Sequence, residues 1–182
     1  MEKDYTIVEP ITEQDLLDMK LLNDDLWLET YPSIEAGVSY EVIEKIILER
    51  QRPENIAASL KGYRESLADS QCFFRIAKSE DRVIGSIYSD KKNEIQVLGI
   101  YVASEYHGVG VAADLMEEAL NWLDSSRPIS FEVIEHNTRA IRFYEKHGFQ
   151  VVPDSRRIYR DCLLYTSDAA DDLPCVILGG RR

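Results

Sequence analysis

The stretch Ile100-Tyr101-Val102-Ala103-Ser104-Glu105-Tyr106-His107-Gly108-Val109-Gly110-Val111-Ala112-Ala113-Asp114-Leu115-Met116 decides the fold. An apolar strand runs into a glycine-rich loop, and the loop runs straight into a helix. At its centre lies His107-Gly108-Val109-Gly110-Val111-Ala112. Glycine lets the backbone approach an anion with no Cβ in the way. The free N–H groups of the first helical turn and the helix dipole then favour phosphate oxygens. Two well-known phosphate loops do not fit. No Gly-Lys-Ser/Thr follows, so this is not a P-loop. The glycine spacing departs from the dinucleotide fingerprint, and no βαβ unit opens here. Taken alone, the loop also fits an ordinary tight strand-to-helix turn.

Upstream of the loop, three strands read as an antiparallel meander: Cys72–Ala77, Arg82–Tyr88 and Ile95–Val102. Gly99 breaks the third and predicts a bulge or a close approach of ligand. Before the meander lies a first strand, Tyr5–Glu9, stopped by Pro10. Thr12 caps a helix through Leu16, Met19 and Leu22, and Asn23-Asp24-Asp25 predicts its end. Ser39 caps a second helix, and Pro53 opens a third with an apolar stripe at Ile56, Leu60, Tyr63 and Leu67. Downstream come a helix through Leu115 to Leu123, a strand Ile129–Ile134 and a helix Thr138–Lys146 closed by His147-Gly148. Strands Phe149–Val152 and Arg157–Tyr159 follow.

A chain of 182 residues with 45% hydrophobic content suits one globular domain. Its formal charge of −12 argues against nucleic acid or anionic membrane as partners. No apolar run approaches the roughly 18 residues of a membrane span. Met1-Glu2-Lys3-Asp4-Tyr5 does not read as a signal peptide, so a cytoplasmic location is expected. Cys72, Cys162 and Cys175 form no CxxC, and His107, His136 and His147 form no HExxH. No metal is expected.

A second signature follows the first: Asn137-Thr138-Arg139-Ala140-Ile141-Arg142-Phe143-Tyr144-Glu145-Lys146-His147-Gly148-Phe149. Together, in this order, the two resemble the GCN5-related N-acetyltransferase (GNAT) superfamily over about residues 5–161. That family writes its loop Gln/Arg-x-x-Gly-x-Gly/Ala. His107 takes the first place, Gly110 the central glycine and Ala112 the last small residue. The resemblance implies an α+β fold. Its mixed, mostly antiparallel sheet has six to seven strands flanked by helices, and is splayed between strands 4 and 5.

The resemblance further implies transfer of the acetyl group of acetyl-CoA to a primary amine, on a small polyamine-like molecule or a peptide. Cofactor contacts are expected from Ile100, Tyr101, Val102, His107, Gly108, Val109, Gly110, Val111, Ala112, Asn137, Ala140 and Tyr144. Edge groups of the splayed strand would pair with the pantetheine amides, and a backbone N–H near Ile100 would polarise the acyl carbonyl. Tyr144 resembles the family's general acid. A phenol with a pKa near 10 is protonated at neutral pH and can donate to a thiolate. The family's fourth-strand glutamate is replaced by Gln96, leaving Glu94 and Glu29 as candidate bases. Trp27 and Tyr31 are expected to face the amine, because aromatic rings attract ammonium groups. The helices over 39–67 loosely resemble the polyamine-acetylating branch. A non-catalytic acyl-CoA binder on the same scaffold is the competing reading. Either a monomer or a homodimer is expected.

The tail reads differently. Cys162-Leu163-Leu164-Tyr165-Thr166-Ser167-Asp168-Ala169-Ala170-Asp171 resembles a translated sequencing-library adapter. Residues 1–161 are therefore expected to form the acyltransferase domain. Residues 162–182 are expected to be a non-native tail whose apolar run could still pair as a short edge strand.

Overall fold

The computed structural model describes residues 4–34, 38–153, 157–159 and 173–180, the last two stretches as main chain only. Strand β1 (Thr6–Val8) leads into helix α1 (Glu13–Thr30). Thr12 caps that helix in a reciprocal box with Asp15: the Thr12 hydroxyl accepts from the Asp15 N–H at 3.0 Å, and the Asp15 carboxylate accepts from the Thr12 N–H at 3.0 Å. Helices α2 (Tyr40–Arg50), capped by Ser39, and α3 (Pro53–Leu67), opened by Pro53 at its first turn, follow.

One expectation fails here. Asn23-Asp24-Asp25 does not end α1, which continues to Thr30. Asp and Asn are weak helix formers because their side chains compete for the backbone. In this helix tertiary partners occupy those side chains instead. Asp24, fully buried, pairs with Lys20 one turn back at 2.5 Å and with Arg50 at the end of α2 at 2.9 Å. Asn23 accepts a hydrogen bond from Ser86 across the helix–sheet interface.

Strands β2 (Cys72–Ser79), β3 (Arg82–Asp90) and β4 (Gln96–Val102) form the antiparallel meander. A 3-10 turn at Ser104–Tyr106 leads into α4 (Val111–Trp122). Then come β5 (Ile129–Ile134), α5 (Thr138–Lys146), β6 (Gln150–Val151), β7 (Arg157–Tyr159) and β8 (Leu173–Gly180). The sheet runs β1-β2-β3-β4-β5-β8-β6, with β7 also paired to β8. The β4–β5 pair is parallel and the others antiparallel. The α+β architecture matches the expectation.

Alternation along β2 and β3 feeds two cores. Phe73, Ile84 and Ile87 pack with Leu115, Met116 and Phe131 under α4 and α5. Phe74, Ile76 and Val83 pack with Leu16, Met19 and Leu60 under α1 and α3. Val111, Leu115, Met116 and Ala119 make the wholly buried stripe of α4, each large member contributing about 1.5–3 kcal/mol by burial. A third cluster joins Trp27, Val38, Ile43 and Ile47 to Ile134 at the end of β5.

Two further points differ. Of the two alternatives at Gly99, the bulge is absent on the β3 side: pairing runs in register from Val97 to Val102, and the irregularity of the meander lies at Ala77/Lys78. The tail strand is not at an edge. β8 pairs with β5 from Ile129↔Gly180 to Ile134↔Cys175, and so sits between β5 and β6. Residues 162–171 lie outside the described residues.

Candidate functional site

The site begins as a gap in the sheet. β4 and β5 share only two register pairs, Gln96↔Ile129 and Val97↔Ser130. Gln96 holds that closed end. Its N–H donates to Pro128, and its side chain bonds the Asp124 carbonyl and N–H, both at 2.9 Å. Gln96 is fully buried, a bracket for the α4–β5 connection and not a seat for a base. Backbone groups alternate along a strand, so the N–H and C=O of Leu98 and Ile100 point the same way as the Gln96 N–H, into the gap. Ile100 therefore presents its N–H to the gap.

The gap opens into a cleft of 400 Å³. The strand wall includes Ile100, Tyr101 and Val102, the loop wall His107, Gly108, Gly110 and Ala112, and the α5 wall Asn137, Ala140 and Tyr144. All ten were expected there. Val109 and Val111 were expected too, but Val109 is exposed on the loop crest and Val111 is wholly buried in the α4 core. Asn137 caps α5 by accepting from the Ala140 N–H at 3.1 Å and also borders the cleft.

The glycine loop is a cradle by backbone conformation. Gly108 has φ 82° and Gly110, the N-cap of α4, has φ 106°. These left-handed values cost an L-residue roughly 1–2 kcal/mol. A Cβ at Gly108 would meet only open space, so strain alone selects glycine there. Gly110, Ala112 and Ala113 border the cleft, so the start of α4, with its free N–H groups, lies at it, in keeping with a pyrophosphate. Gly110→Ala is expected to weaken coenzyme A binding about tenfold, the equivalent of roughly 1.4 kcal/mol. Titration calorimetry checks this, and an unchanged affinity would remove the loop from phosphate binding.

His107 borders the cleft with both ring nitrogens engaged. Its Nε2 lies 3.0 Å from the Val102 carbonyl and its Nδ1 2.5 Å from Arg139. Arginine only donates, so Nδ1 accepts and Nε2–H donates to Val102. Both ring nitrogens are committed to protein. Burial, with the Arg139 guanidinium beside the ring, pushes the imidazole below its ordinary range. The neutral histidine thus gives no charge to a phosphate, and Arg139 brings the positive charge to the loop. Arg139 sits in the quoted Asn137–Phe149 signature, yet nothing in its spacing announced this contact.

Tyr144 is buried in the α5 wall, its ring 3.9 Å from Phe131 and 5.4 Å from Phe143. Burial, reinforced by nearby Tyr101, pushes its hydroxyl well above the ordinary phenol range. Among the described residues that hydroxyl has no hydrogen-bond partner.

The candidate bases separate. Glu94 precedes β4 in an exposed turn and does not border the cleft. The expected strand start at Ile95 is one residue early, so Glu94 shares no strand face with Gln96. Glu29 is exposed on the last turn of α1 and also lies off the cleft lining. The sequence reading missed Glu132. On β5 the core face takes Ile129, Phe131 and Val133, which turns Glu132 to the α1–α2 side. There it borders the cleft. Extending the β4–β5 register sets it across the gap from Gly99. An isolated acid inside an apolar strand was the available signal. Tyr31 borders the cleft as expected. Trp27 borders a second cavity instead of this cleft: it packs against Val38, Ile43 and Ile47, is stacked on Tyr31 at 4.4 Å, and donates to the Tyr101 hydroxyl. Among the described residues no cluster of His, Cys, Asp and Glu could hold a metal, and no helix is long and apolar enough to cross a membrane.

The fold and its family are found among known proteins. A family model described as the acetyltransferase (GNAT) family matches residues 38–149. An uncharacterized N-acetyltransferase of Mycobacterium tuberculosis is 29% identical over 111 residues, which is 54% of this chain and 70% of the relative. The paia N-acetyltransferase of Thermoplasma acidophilum, solved in complex with coenzyme A, shares the fold with a TM-score of 0.69 and 22% identity, over 98% of this chain and 99% of that one. An acetyltransferase of Streptococcus agalactiae gives a TM-score of 0.66 at 19% identity over the full length of both chains. The chain belongs to the acetyltransferase (GNAT) family. It is an acetyltransferase with acetyl-CoA as its acyl donor.

Proposed function

We propose that this acetyltransferase acts on a primary amine of a small molecule or peptide by direct attack, with Tyr144 as general acid and Glu132 as general base. One observation carries the reading: the unpaired edge of β4, the Tyr144 hydroxyl and the Glu132 carboxylate border a single cleft. Acetyl-CoA supplies an acetyl group activated as a thioester. The Ile100 N–H is aimed into the gap, where it suits a carbonyl oxygen gaining negative charge. Glu132 takes a proton from the ammonium, directly or through one water. A C–N bond forms, the C–S bond breaks, and the Tyr144 hydroxyl proton goes to the departing thiolate. The amine's second proton passes to the Tyr144 phenolate and restores it, and Glu132 releases its proton to solvent, so the products are the amide, the free thiol and one proton, and no other reagent is needed.

A non-catalytic binder has no use for an acid and a carboxylate on opposite walls of the gap, and this favours the enzyme. The test is thiol release from acetyl-CoA against a panel of amines and amino-terminal peptides. Amine-dependent release is expected, and Glu132→Gln should lower it most at acid pH, where little amine is already neutral. Tight coenzyme A binding with no release on any amine would favour the binder.

A further inference from the structure

A second cavity, of 570 Å³, lies on the α1–α3 side of β4. It meets the cofactor cleft at Leu98, Gly99 and Tyr101, which border both. Gly99 makes the junction open: a Cβ there would meet nothing within 4 Å. Across the gap stands Glu132. A molecule seated in this cavity has its inner end beside the site of acyl transfer.

The lining chemistry is unexpected for a chain of charge −12. Among the described residues that line it, none is a carboxylate, and the charged one is Arg50. Arg50 is held in place twice. Its guanidinium lies 4.5 Å from the Trp27 ring centroid and 2.9 Å from Asp24. Asp24 is shared, because the buried Lys20 also claims it. Two cations therefore answer to one buried carboxylate, and of these three groups Arg50 is the one that borders the cavity. Tyr63, Ser59 and Ser66 of α3 add hydroxyls to the same wall, while Phe74 and Tyr88 offer aromatic faces. Burial pushes the Tyr63 hydroxyl above its ordinary range, so it stays a donor at neutral pH. A polycation such as a polyamine finds a like charge in this cavity and no acid. A carboxylate finds a guanidinium, whose planar fork suits it.

We infer that this cavity is the acceptor site and that its substrate is a small primary amine bearing a carboxylate, with the carboxylate on Arg50 and the amine at the Gly99 junction facing Glu132. The inference rests on the amine-acetyltransferase reading above for its amine end, and on the cavity alone for its carboxylate end.

Matched amines differing by one carboxylate test it: phenylalanine against phenethylamine, 4-aminobutyrate against propylamine, with spermidine as the polycation. The carboxylate-bearing member of at least one pair should be favoured tenfold or more in kcat/KM over its partner and over spermidine. Arg50→Gln should erase that preference through the KM for the amine, leaving the KM for acetyl-CoA unchanged, and Arg50→Lys should restore part of it. Equal or better use of the uncharged partner or spermidine, or a preference that survives in Arg50→Gln, overturns the inference. A second readout separates it from the transfer reading. In Trp122→Phe protein loaded with coenzyme A, Trp27 fluorescence should respond saturably to the carboxylates in the parent and not in Arg50→Gln. Saturable binding without turnover on any amine would overturn the transfer reading and uphold the carboxylate site. Absence of a saturable, Arg50-dependent response, with no turnover, overturns the site as well.

Discussion

Tyr144→Phe is expected to lower kcat by about 10²-fold or more, the usual reach of a positioned general acid, while the KM for acetyl-CoA stays unchanged. The substitution removes one oxygen and keeps the ring against Phe131 and Phe143. Since that oxygen has no hydrogen-bond partner among the described residues, its loss leaves no group unsatisfied, and thermal stability should barely move. The pH profile sharpens the test. Burial raises the hydroxyl's pKa, so Tyr144 stays protonated beyond the ordinary phenol value near 10. Its titration therefore imposes no alkaline decline in kcat below about pH 10. A Phe variant as fast as the parent across pH would remove Tyr144 from proton transfer.

Asp24→Ala should cost about 3–5 kcal/mol of folding stability, the range for breaking a buried ion pair from one side. Lys20 is 2% exposed and would be left with its ammonium uncompensated in the core. Total stabilities of about 5–15 kcal/mol make such a loss a large share. Denaturant titration measures it. Replacing both members, as in Lys20→Met with Asp24→Leu, should recover most of the loss, because an apolar pair of similar volume carries no desolvation cost. A loss below about 1 kcal/mol for Asp24→Ala would mean that Lys20 reaches water or another acid, contrary to a dry pair.

The fate of Asn23-Asp24-Asp25 shows where sequence reading stops. Local propensity predicts a break, and it is overruled by Lys20, Arg50 and Ser86, of which two lie on other elements. Signals confined to neighbours in sequence were legible: the Thr12 cap, Pro53 at the first turn of α3, the order strand–glycine loop–α4, and the α5 signature. The loop and Tyr144 could be placed at one cleft from those signals. Roles set by a partner from elsewhere could not. His107 is held toward its neutral form by burial and by Arg139, and Gln96 is spent on the Asp124 backbone. Glu132 went unseen because its value depends on which face of β5 meets the core, and that in turn depends on α4 and α5. The interior position of β8 depends on pairing with β5, far back in the chain, which no local pattern encodes.

The splay after Val97 has one more consequence. The gap side of β4 offers main-chain groups of Leu98 and Ile100 to the proposed donor site, and main chain is the same whatever side chains it carries. Recognition of the shared acyl donor is thereby uncoupled from the identities of the β4 residues. Gly99 and Tyr101 are free to change with the acceptor, and so are the walls that α1 and α3 contribute. The strand works as a constant register for one substrate and a variable one for the other. Such a chain can exchange its amine specificity by substitution on one face of β4 without relearning how to hold its acetyl donor.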